Sequence, residues 1–305
     1  MKKYQSSTNS WYYMETKLKI VHQTFYEFNH KVLIEPHYLR FKPRVTPYNK
    51  LERADIRIFP TPVGLSEQSD PENNLVHFCW FDGMHKQLSV HMESVVALRE
   101  NNPFDFMLFP DTCTELPLDY SCQLKDTLHA ALVSTKIEHA LVDYGNEILQ
   151  RSAYNTIDFI SNLTNQIHND FIFEYRQQGA PFDADITFSL KRGSCRDLAW
   201  MQIILLRYLG IAARFVSGYY FVGSDNANHE LHGWVEVYLP GAGWIGFDPS
   251  NGMVAGSSHI PICSSAYYQN TMPITGSFRG GAGSTMVTSL SIEKLQVVAG
   301  NNYLD

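Results

Sequence analysis

The sequence predicts an α+β protein in which an antiparallel β region is followed by helices and then by further strands. Up to about residue 120, apolar residues alternate with polar ones in several runs, and five prolines between residues 36 and 62 oppose helix formation there. From about Ser121, apolar residues recur at spacings of three and four, which is typical of amphipathic helices. We therefore expect an N-terminal β domain at residues 1–120 and a core with C-terminal strands at residues 121–305.

The first strands show the alternation of a half-buried sheet. Residues 18–28 place apolar side chains on one parity, and residues 54–60 and 73–81 also read as strands. The dipeptide Asp82-Gly83 is a strong signal for a two-residue turn. It predicts a hairpin between residues 73–81 and residues 86–98.

The second part of the chain begins with three expected helices. They are residues 122–134, 138–150 and 156–171. A loop between Arg176 and Leu190 then leads to an apolar helix that begins near Cys195 and ends at Gly210, a good C-cap residue. The remaining strands are expected at residues 211–221, 233–239 and 243–249, with a last pair around residues 286–292 and 295–300.

Composition excludes several classes of protein. Apolar residues make up 44% and charged residues 18% of the 305 residues, which is enough apolar material for a substantial core and argues against a disordered chain. The formal net charge of -7 provides no basic field that would attract nucleic acid. The longest mostly apolar stretch, Ala199 to Leu206, is far shorter than the roughly 18 residues of a membrane span. We expect neither nucleic acid nor a membrane as a partner.

The N-terminus and the cysteines predict a cytoplasmic protein. Two lysines follow Met1, but no apolar segment of a secretory signal comes after them. The five cysteines are an odd number without a CxxC pair, which argues against a disulfide framework and against a zinc knuckle. We expect at least one free thiol and no metal site.

One cysteine lies in a setting that favours a nucleophile. In KRGSCRDLAW, residues 191–200, Ser194 is a favoured N-cap and Cys195 is then the first helical residue. Unpaired backbone N–H groups and the positive end of the helix dipole stabilise a thiolate there. A lone cysteine is more often a buried apolar residue, so this interpretation depends on partners elsewhere. Arg196 and Asp197 are expected to form an ion pair or helix-start contacts.

A histidine and an aspartate follow at positions that can reach this helix start. His232 lies at the start of a strand, and Asp248 ends the next strand. With the turn centred on Gly241-Ala242, counting places residue 232 opposite residue 251, so Asp248 lies within a β-bulge of His232. We expect Cys195 as the nucleophile, His232 as the base and Asp248 as the group that orients the imidazole.

Other residues near these positions have simpler explanations. His229 and His259 are alternative bases, but one lies in an Asn-rich loop and the other in a Ser-rich loop. Four aromatic residues could line a cleft for an acyl group, although aromatic residues at strand spacing more often pack within a sheet. The four are Tyr219, Tyr220, Trp234 and Trp244.

Three segments together resemble the transglutaminase-like superfamily of cysteine proteases and acyltransferases. They are GSCRDLAW at residues 193–200, HGWVEV at residues 232–237 and GWIGFDP at residues 243–249. The resemblance implies a papain-like core, in which a central helix packs on an antiparallel sheet. It places the family's Cys-His-Asp triad at Cys195, His232 and Asp248. The sequence before the core is similar to the β domain of bacterial members.

The chain departs from the family pattern at three places. Gly233 replaces an alanine and Ala212 replaces a proline, whereas GIAARFVSGY at residues 210–219 otherwise resembles the family segment. Residues 266–276 lack an Arg-Asp pair that bacterial members carry.

The resemblance implies a cysteine protease or amidase that forms an acyl-enzyme with a peptide or protein substrate and uses no cofactor. Two alternatives stay open: a protein-glutamine acyltransferase that uses an amine as acceptor, and an inactive peptide-binding module. We favour hydrolysis because water is far more concentrated than amines in a cell. The sequence leaves the oligomeric state and the substrate open.

Overall fold

The computed structural model describes residues 16–176, 179–221, 223 and 231–295, and it confirms the α+β fold class. The strands in these residues are β1 (Thr16–Ile34), β2 (His37–Leu39), β3 (Asn49–Phe59), β4 (Gly64–Ser69), β5 (Leu75–Trp80), β6 (Met84–Leu98), β7 (Ile172–Phe173), β8 (Arg192–Gly193), β9 (Ala213–Tyr220), β10 (Leu231–Leu239), β11 (Gly243–Asp248), β12 (Met253–Val254), β13 (His259–Ser265), β14 (Ile274–Thr275), β15 (Phe278–Arg279) and β16 (Ser284–Leu295). The α-helices are α1 (Cys122–Thr127), α2 (His129–Leu132), α3 (His139–Arg151), α4 (Thr156–Asp170), α5 (Ala184–Leu190) and α6 (Cys195–Tyr208).

Two antiparallel sheets form the N-terminal region. In the first, β3, β6 and β1 are neighbours in that order, and β15 and β16 pair with the other edge of β1. The second has the order β14-β2-β5-β4. Leu39 and Cys79 of the second sheet belong to one buried cluster with Val90 and Met92 of the first. The alternation in the sequence is therefore explained, because one face of each sheet packs against the other sheet.

The turn predicted at Asp82-Gly83 is present, but it does not make a hairpin. Gly83 has a φ of 79° and donates its N–H to Asp82 Oδ1 at 2.8 Å. β5 pairs with β2 and β4 in the second sheet, whereas β6 pairs with β1 and β3 in the first. Phe81, just before the turn, packs against buried residues of both sheets. The hairpin prediction was wrong because this interior packing leads the chain from one sheet to the other.

The core consists of a third antiparallel sheet, with the order β12-β11-β10-β9-β13, and the helix α6 packed against it. As the sequence predicts, α6 is buried almost all round and ends just before Gly210, which has a φ of 77°. Arg207, near its end, donates to the carbonyls of Ala213 at 2.9 Å and Ala266 at 2.7 Å. These bonds fix the helix relative to β9 and to the end of β13, and so fix the position of its first turn.

Two local predictions were wrong. The loop expected between Arg176 and Leu190 contains the helix α5 in its second half, where Asp183 accepts a hydrogen bond from the N–H of Asp185 at 3.0 Å as the N-cap. The strand pair expected near the C-terminus is one continuous strand, β16, as far as Leu295. It is continuous because β1 offers a long edge with which it pairs. Residues 296–300 of that prediction lie outside the described residues.

The N-terminal region and the core share an interior. Leu18 and Ile20 of β1 lie in one buried cluster with Tyr219 of β9 and Ile260 of β13. The boundary near residue 120 stays a prediction. The hydrogen-bonded sheets cross it, because β14, β15 and β16 pair with strands of the first 40 residues.

Two further findings concern the whole described chain. Within residues 16–176, 179–221, 223 and 231–295, no helix combines the length and apolar character that crossing a membrane requires. All five cysteines lie in these residues, and each is a free thiol.

Candidate active site

The nucleophile candidate is held at the first turn of α6. Cys195 is half-buried and is the first residue of the helix, with Ser194 as the N-cap. The side chain of Asp197 accepts hydrogen bonds from the backbone N–H of Ser194 at 2.8 Å and from its hydroxyl at 2.6 Å. This capping arrangement fixes the backbone on both sides of Cys195.

Asp197 also connects the helix start to the preceding loop. Its carboxylate is fully buried, forms an ion pair with Arg176 at 2.5 Å and accepts the backbone N–H of Phe182 at 2.7 Å. The helix-start contacts predicted for Asp197 are thus present, whereas its ion-pair partner is Arg176. Arg196 donates to the backbone carbonyl of Arg176. The sequence did not indicate that this loop and the helix start are joined by one buried carboxylate.

The base candidate and the orienting candidate face each other at the end of the β10–β11 ladder. The pairing places Val235 opposite Phe247, one residue from the register obtained by counting along the sequence. Asp248 therefore lies on the same face of the sheet as His232. His232 Nε2 lies 2.7 Å from Asp248 Oδ2, the distance of a strong hydrogen bond.

The imidazole of His232 connects Cys195 to Asp248. Because Nε2 faces the carboxylate, Nδ1 is the nitrogen that remains for the hydrogen bond with the Cys195 thiol. Burial would lower the pKa of His232, but the charge and hydrogen bond of Asp248 outweigh burial and raise that pKa above its ordinary value. The imidazole is therefore held in its protonated form.

The environment of Cys195 favours the thiolate. Burial alone would raise the pKa of this thiol, but the hydrogen bond and charge of His232 outweigh burial and lower the pKa below its ordinary value. The backbone N–H of Gly233 and the guanidinium of Arg196 lower the pKa of this thiol further. Both shifts favour the charged forms, a thiolate on Cys195 and an imidazolium on His232.

Asp248 is a fully buried carboxylate, and the hydrogen-bond donors around it keep it ionised. On Oδ2 it accepts hydrogen bonds from His232, from His259 at 3.0 Å and from the side chain of Asn251 at 2.7 Å. On Oδ1 it accepts the backbone N–H groups of Ser250 at 3.0 Å and Asn251 at 3.3 Å. Burial opposes the ionised form, yet these partners, His232 foremost, hold the pKa of Asp248 well below its ordinary value.

His259 lies on the other side of Asp248 and is not in a loop as expected. It is the first residue of β13 and only 1% exposed. Burial lowers the pKa of His259, and the nearby Asp248 only partly offsets this effect. Sequence reasoning treated His259 as an alternative base and missed its contact with Asp248, although the alternation of Ile260 and Ile262 after it is a strand signal. The other alternative, His229, lies outside the described residues.

Aromatic residues pack around the two histidines. Tyr219 and Trp234 are almost completely buried, as the packing interpretation predicts. The Tyr220 ring lies 5.4 Å from the His232 ring and 4.7 Å from the His259 ring, measured between centroids. Trp244, on the neighbouring strand, lies under the Arg214 guanidinium, with 4.0 Å between the guanidinium carbon and the ring centroid. The contacts of Tyr220 restrict the rotation of both imidazoles.

The glycine after His232 has a local steric reason. A Cβ at position 233 would lie 2.7 Å from Cζ of Phe215, on the paired strand β9. The family alanine does not fit here unless Phe215 moves. The ring of Phe215 therefore occupies the space that an alanine side chain at position 233 would need, which explains the departure at Gly233.

The same cluster has the residue types of a metal site. The ligand atoms of His232, Asp248 and His259 lie within 4.8 Å of one another. Both Nε2 atoms face the same carboxylate oxygen at hydrogen-bond distance, so they serve as donors to it. A metal ion would replace both of these protons and remove the connection from Cys195 to Asp248. The donor set thus fits two hydrogen bonds to Asp248.

Comparisons with known proteins match this architecture. Residues 18–97 match the model of the bacterial transglutaminase-like N-terminal region, and residues 143–249 match the model of the transglutaminase-like superfamily. A crystal structure of a protein from Cytophaga hutchinsonii, provisionally described as a cysteine protease, has a TM-score of 0.68 and 18% identity, over 93% of this chain and 92% of that chain. This likeness shows the fold.

Two curated relatives are similar to this chain in sequence. An uncharacterized protein of Mycobacterium tuberculosis is 22% identical over 280 residues, which are 85% of this chain and 87% of that protein. A protein-glutamine gamma-glutamyltransferase of Pseudomonas aeruginosa is 30% identical over 92 residues. That match covers 27% of this chain and 14% of the enzyme, so it concerns a short part of each protein.

Proposed function

Because the chain belongs to the transglutaminase-like superfamily, we propose that it is a cysteine-dependent peptidase or amidase that forms an acyl-enzyme at Cys195. The observation that carries this proposal is the continuous set of contacts from the Cys195 thiol through His232 to the buried carboxylate of Asp248. A buried carboxylate in contact with a protonated imidazole and a lowered thiol pKa is the physical requirement for a cysteine nucleophile near neutral pH.

The first half of the proposed reaction forms a thioester. The Cys195 thiolate attacks the carbonyl carbon of an amide, and the carbonyl oxygen takes up the negative charge. The backbone N–H of Cys195 at the helix start can donate to this oxyanion. As the C–N bond breaks, His232 gives its Nδ1 proton to the leaving amine nitrogen.

The second half releases the acyl group. His232, now neutral, takes a proton from water while the water oxygen attacks the thioester carbonyl. The C–S bond breaks, the carboxylic acid leaves, and the thiolate and imidazolium are restored. Asp248 stays ionised throughout and stabilises the charged imidazole.

A second candidate is transfer of the acyl group to an amine, so that the enzyme acts as a protein-glutamine acyltransferase. The similarity of part of this chain to the Pseudomonas aeruginosa enzyme favours this candidate. The first half-reaction is the same for both, and only the acceptor differs. We give priority to hydrolysis because water outnumbers amines.

The substrate class and location follow as parts of the same proposal. We propose a peptide or protein substrate, since the reacting group is an amide. Five free thiols favour a reducing compartment, so we propose the cytoplasm as its location.

Acyl release from a peptide library, with and without a primary amine, tests the proposal. We expect free acid as the product, and we expect Cys195→Ala to abolish it because no thioester can form. Amide products in the presence of the amine would establish the acyltransferase instead. If neither product forms with a library that covers all residue types, the protein is a binding module and the proposed enzyme is wrong.

The reactivity of the thiol supplies an independent test. At pH 6 iodoacetamide should modify Cys195 much faster than Cys122, the exposed cysteine, because a lowered pKa increases the ionised fraction of the Cys195 thiol. Peptide mapping measures both rates in one sample. Equal rates would show that Cys195 is not activated.

A further inference from the structure

We infer that His259 is a positioning residue for the proposed reaction, because it donates a hydrogen bond to the same Asp248 oxygen that binds His232. In doing so it sets how strongly Asp248 attracts the proton of His232. This inference rests on the proposed function and adds a fourth residue to the set Cys195, His232 and Asp248.

The geometry gives His259 a defined donor. Its Nε2 lies 3.0 Å from Asp248 Oδ2, and its Nδ1 lies 3.3 Å from the backbone nitrogen of Gly256, whose N–H donates to it. Because Nδ1 accepts a hydrogen bond, the ring hydrogen is on Nε2 and points at the carboxylate. A single tautomer of a neutral imidazole satisfies both contacts.

The surroundings of His259 keep it neutral and fixed. Three groups with polar or titratable atoms face the ring: Asp248 from β11, His232 from β10 with 6.2 Å between ring centroids, and Tyr220 from β9. Trp234 packs edge-on against it at 5.2 Å. A positive charge on this buried ring would lie beside the His232 imidazolium, and both burial and this repulsion lower the pKa of His259.

Sharing one oxygen between two imidazoles changes the strength of each contact. Oδ2 also accepts the Asn251 amide at 2.7 Å, so its negative charge is divided among three donors. An oxygen with fewer donors would attract the His232 proton more strongly. His259 therefore keeps Asp248 ionised and fixed in place while weakening its hold on the imidazolium. A less tightly held imidazolium gives its proton more readily to the leaving amine.

Two substitutions separate this role from simple packing. His259→Phe keeps an aromatic ring against Tyr220 and Trp234 but cannot donate a hydrogen bond. His259→Gln loses the ring but retains an N–H donor of similar reach. If the hydrogen-bond donor matters, the glutamine variant has the same pH dependence of Cys195 alkylation as the wild type. If only the ring matters, the phenylalanine variant has it.

The experiment measures the rate of Cys195 alkylation by iodoacetamide between pH 4 and pH 9 in the full chain. Removing the donor strengthens the attraction of Asp248 for the imidazolium, which in turn stabilises the thiolate. In His259→Phe we expect the acidic midpoint to move down by about half to one pH unit, the equivalent of one hydrogen bond of about 1 kcal/mol. We expect the midpoint of His259→Gln to stay near that of the wild type.

A further variant keeps the inference testable if His259→Phe does not fold. Asn251→Ala removes another donor to Oδ2 from a half-buried position, so the midpoint should move in the same direction. The control is His168→Gln, because His168 contacts the Ser250 carbonyl and not the Asp248 carboxylate. Midpoints that stay constant in every folded variant would overturn the inference.

The outcome is separable from that of the proposed function. Alkylation requires the thiolate but no turnover. A shifted midpoint in a protein that releases no acid or amide product supports the positioning role and contradicts the enzyme. Normal turnover with unshifted midpoints supports the enzyme and contradicts the role of His259.

Discussion

Asp197 and Asp248 are both fully buried near Cys195, and they bind different groups. Asp197 binds the backbone around Ser194 and forms an ion pair with Arg176. Asp248 binds the imidazole of His232. A guanidinium does not release its proton under ordinary conditions, whereas an imidazole does. A buried carboxylate therefore fixes the backbone in one region, and in the proposed reaction it supports proton transfer in the other.

The largest expected effect is on turnover, and we expect it from Asp248→Asn, which changes the aspartate that binds the imidazole. The variant keeps the shape of the side chain but cannot stabilise the imidazolium, so turnover should fall by roughly 10² to 10⁴. Melting temperature is measured on the same sample to show that the protein is folded. Full turnover in a folded Asp248→Asn protein would mean that the aspartate is only a turn residue.

The second largest effect is expected from Asp197→Asn, on the free energy of unfolding. The change removes the buried carboxylate that forms an ion pair with Arg176, and it should lower the free energy of unfolding by about 3 kcal/mol. Chemical denaturation measures this value. The double variant Asp197→Asn with Arg176→Met should be more stable than Asp197→Asn alone, since the guanidinium of that ion pair is also removed. A double variant as unstable as the single one would contradict the ion-pair explanation.

The third effect concerns the N-cap of α6. Ser194→Ala removes the hydroxyl that donates to Asp197 and should cost about 1 kcal/mol of stability. Alkylation of Cys195 at pH 6 should stay fast, because the backbone N–H of Ser194 still bonds Asp197. A loss of alkylation without a loss of stability would show that the hydroxyl acts on the thiolate directly.

An effect on stability as small as that of Ser194→Ala is expected from Gly233→Ala. The added methyl group contacts Phe215 and should destabilise the protein by roughly 1 kcal/mol. In the background of Phe215→Leu the same change should cost less, because the ring is gone. A double-mutant cycle by denaturation measures this coupling. Additive costs would show that Phe215 is not what excludes the alanine.

Local sequence was sufficient to predict the elements around Cys195, His232 and Asp248. The helix start at Cys195 needs only the neighbouring cap residue and the apolar helix after it. The β10–β11 register follows from the length of one turn, and counting was off by a single residue. The chemistry of these positions is encoded within about 60 residues of the chain.

Contacts between distant segments could not be predicted in the same way. His259 reaches Asp248 because β13 pairs with β9, where His259 lies opposite Tyr220. Arg176 reaches Asp197 through a loop that has no periodic pattern. In each case a tertiary contact, and not a local preference, decides the partner. The strands before and after Asp82-Gly83, β5 and β6, belong to different sheets for the same reason.

The pairing of β1 with β16 has a consequence for synthesis of the chain. Lys17 lies opposite Ala97 on one side and opposite Leu295 on the other. The residues between β1 and β16 must therefore be made before β1 finds this neighbour. At ribosomal speed these roughly 250 residues take on the order of half a minute, during which one edge of β1 can pair with other chains. A chaperone that covers this edge should raise the yield of folded protein more than one that binds the helices.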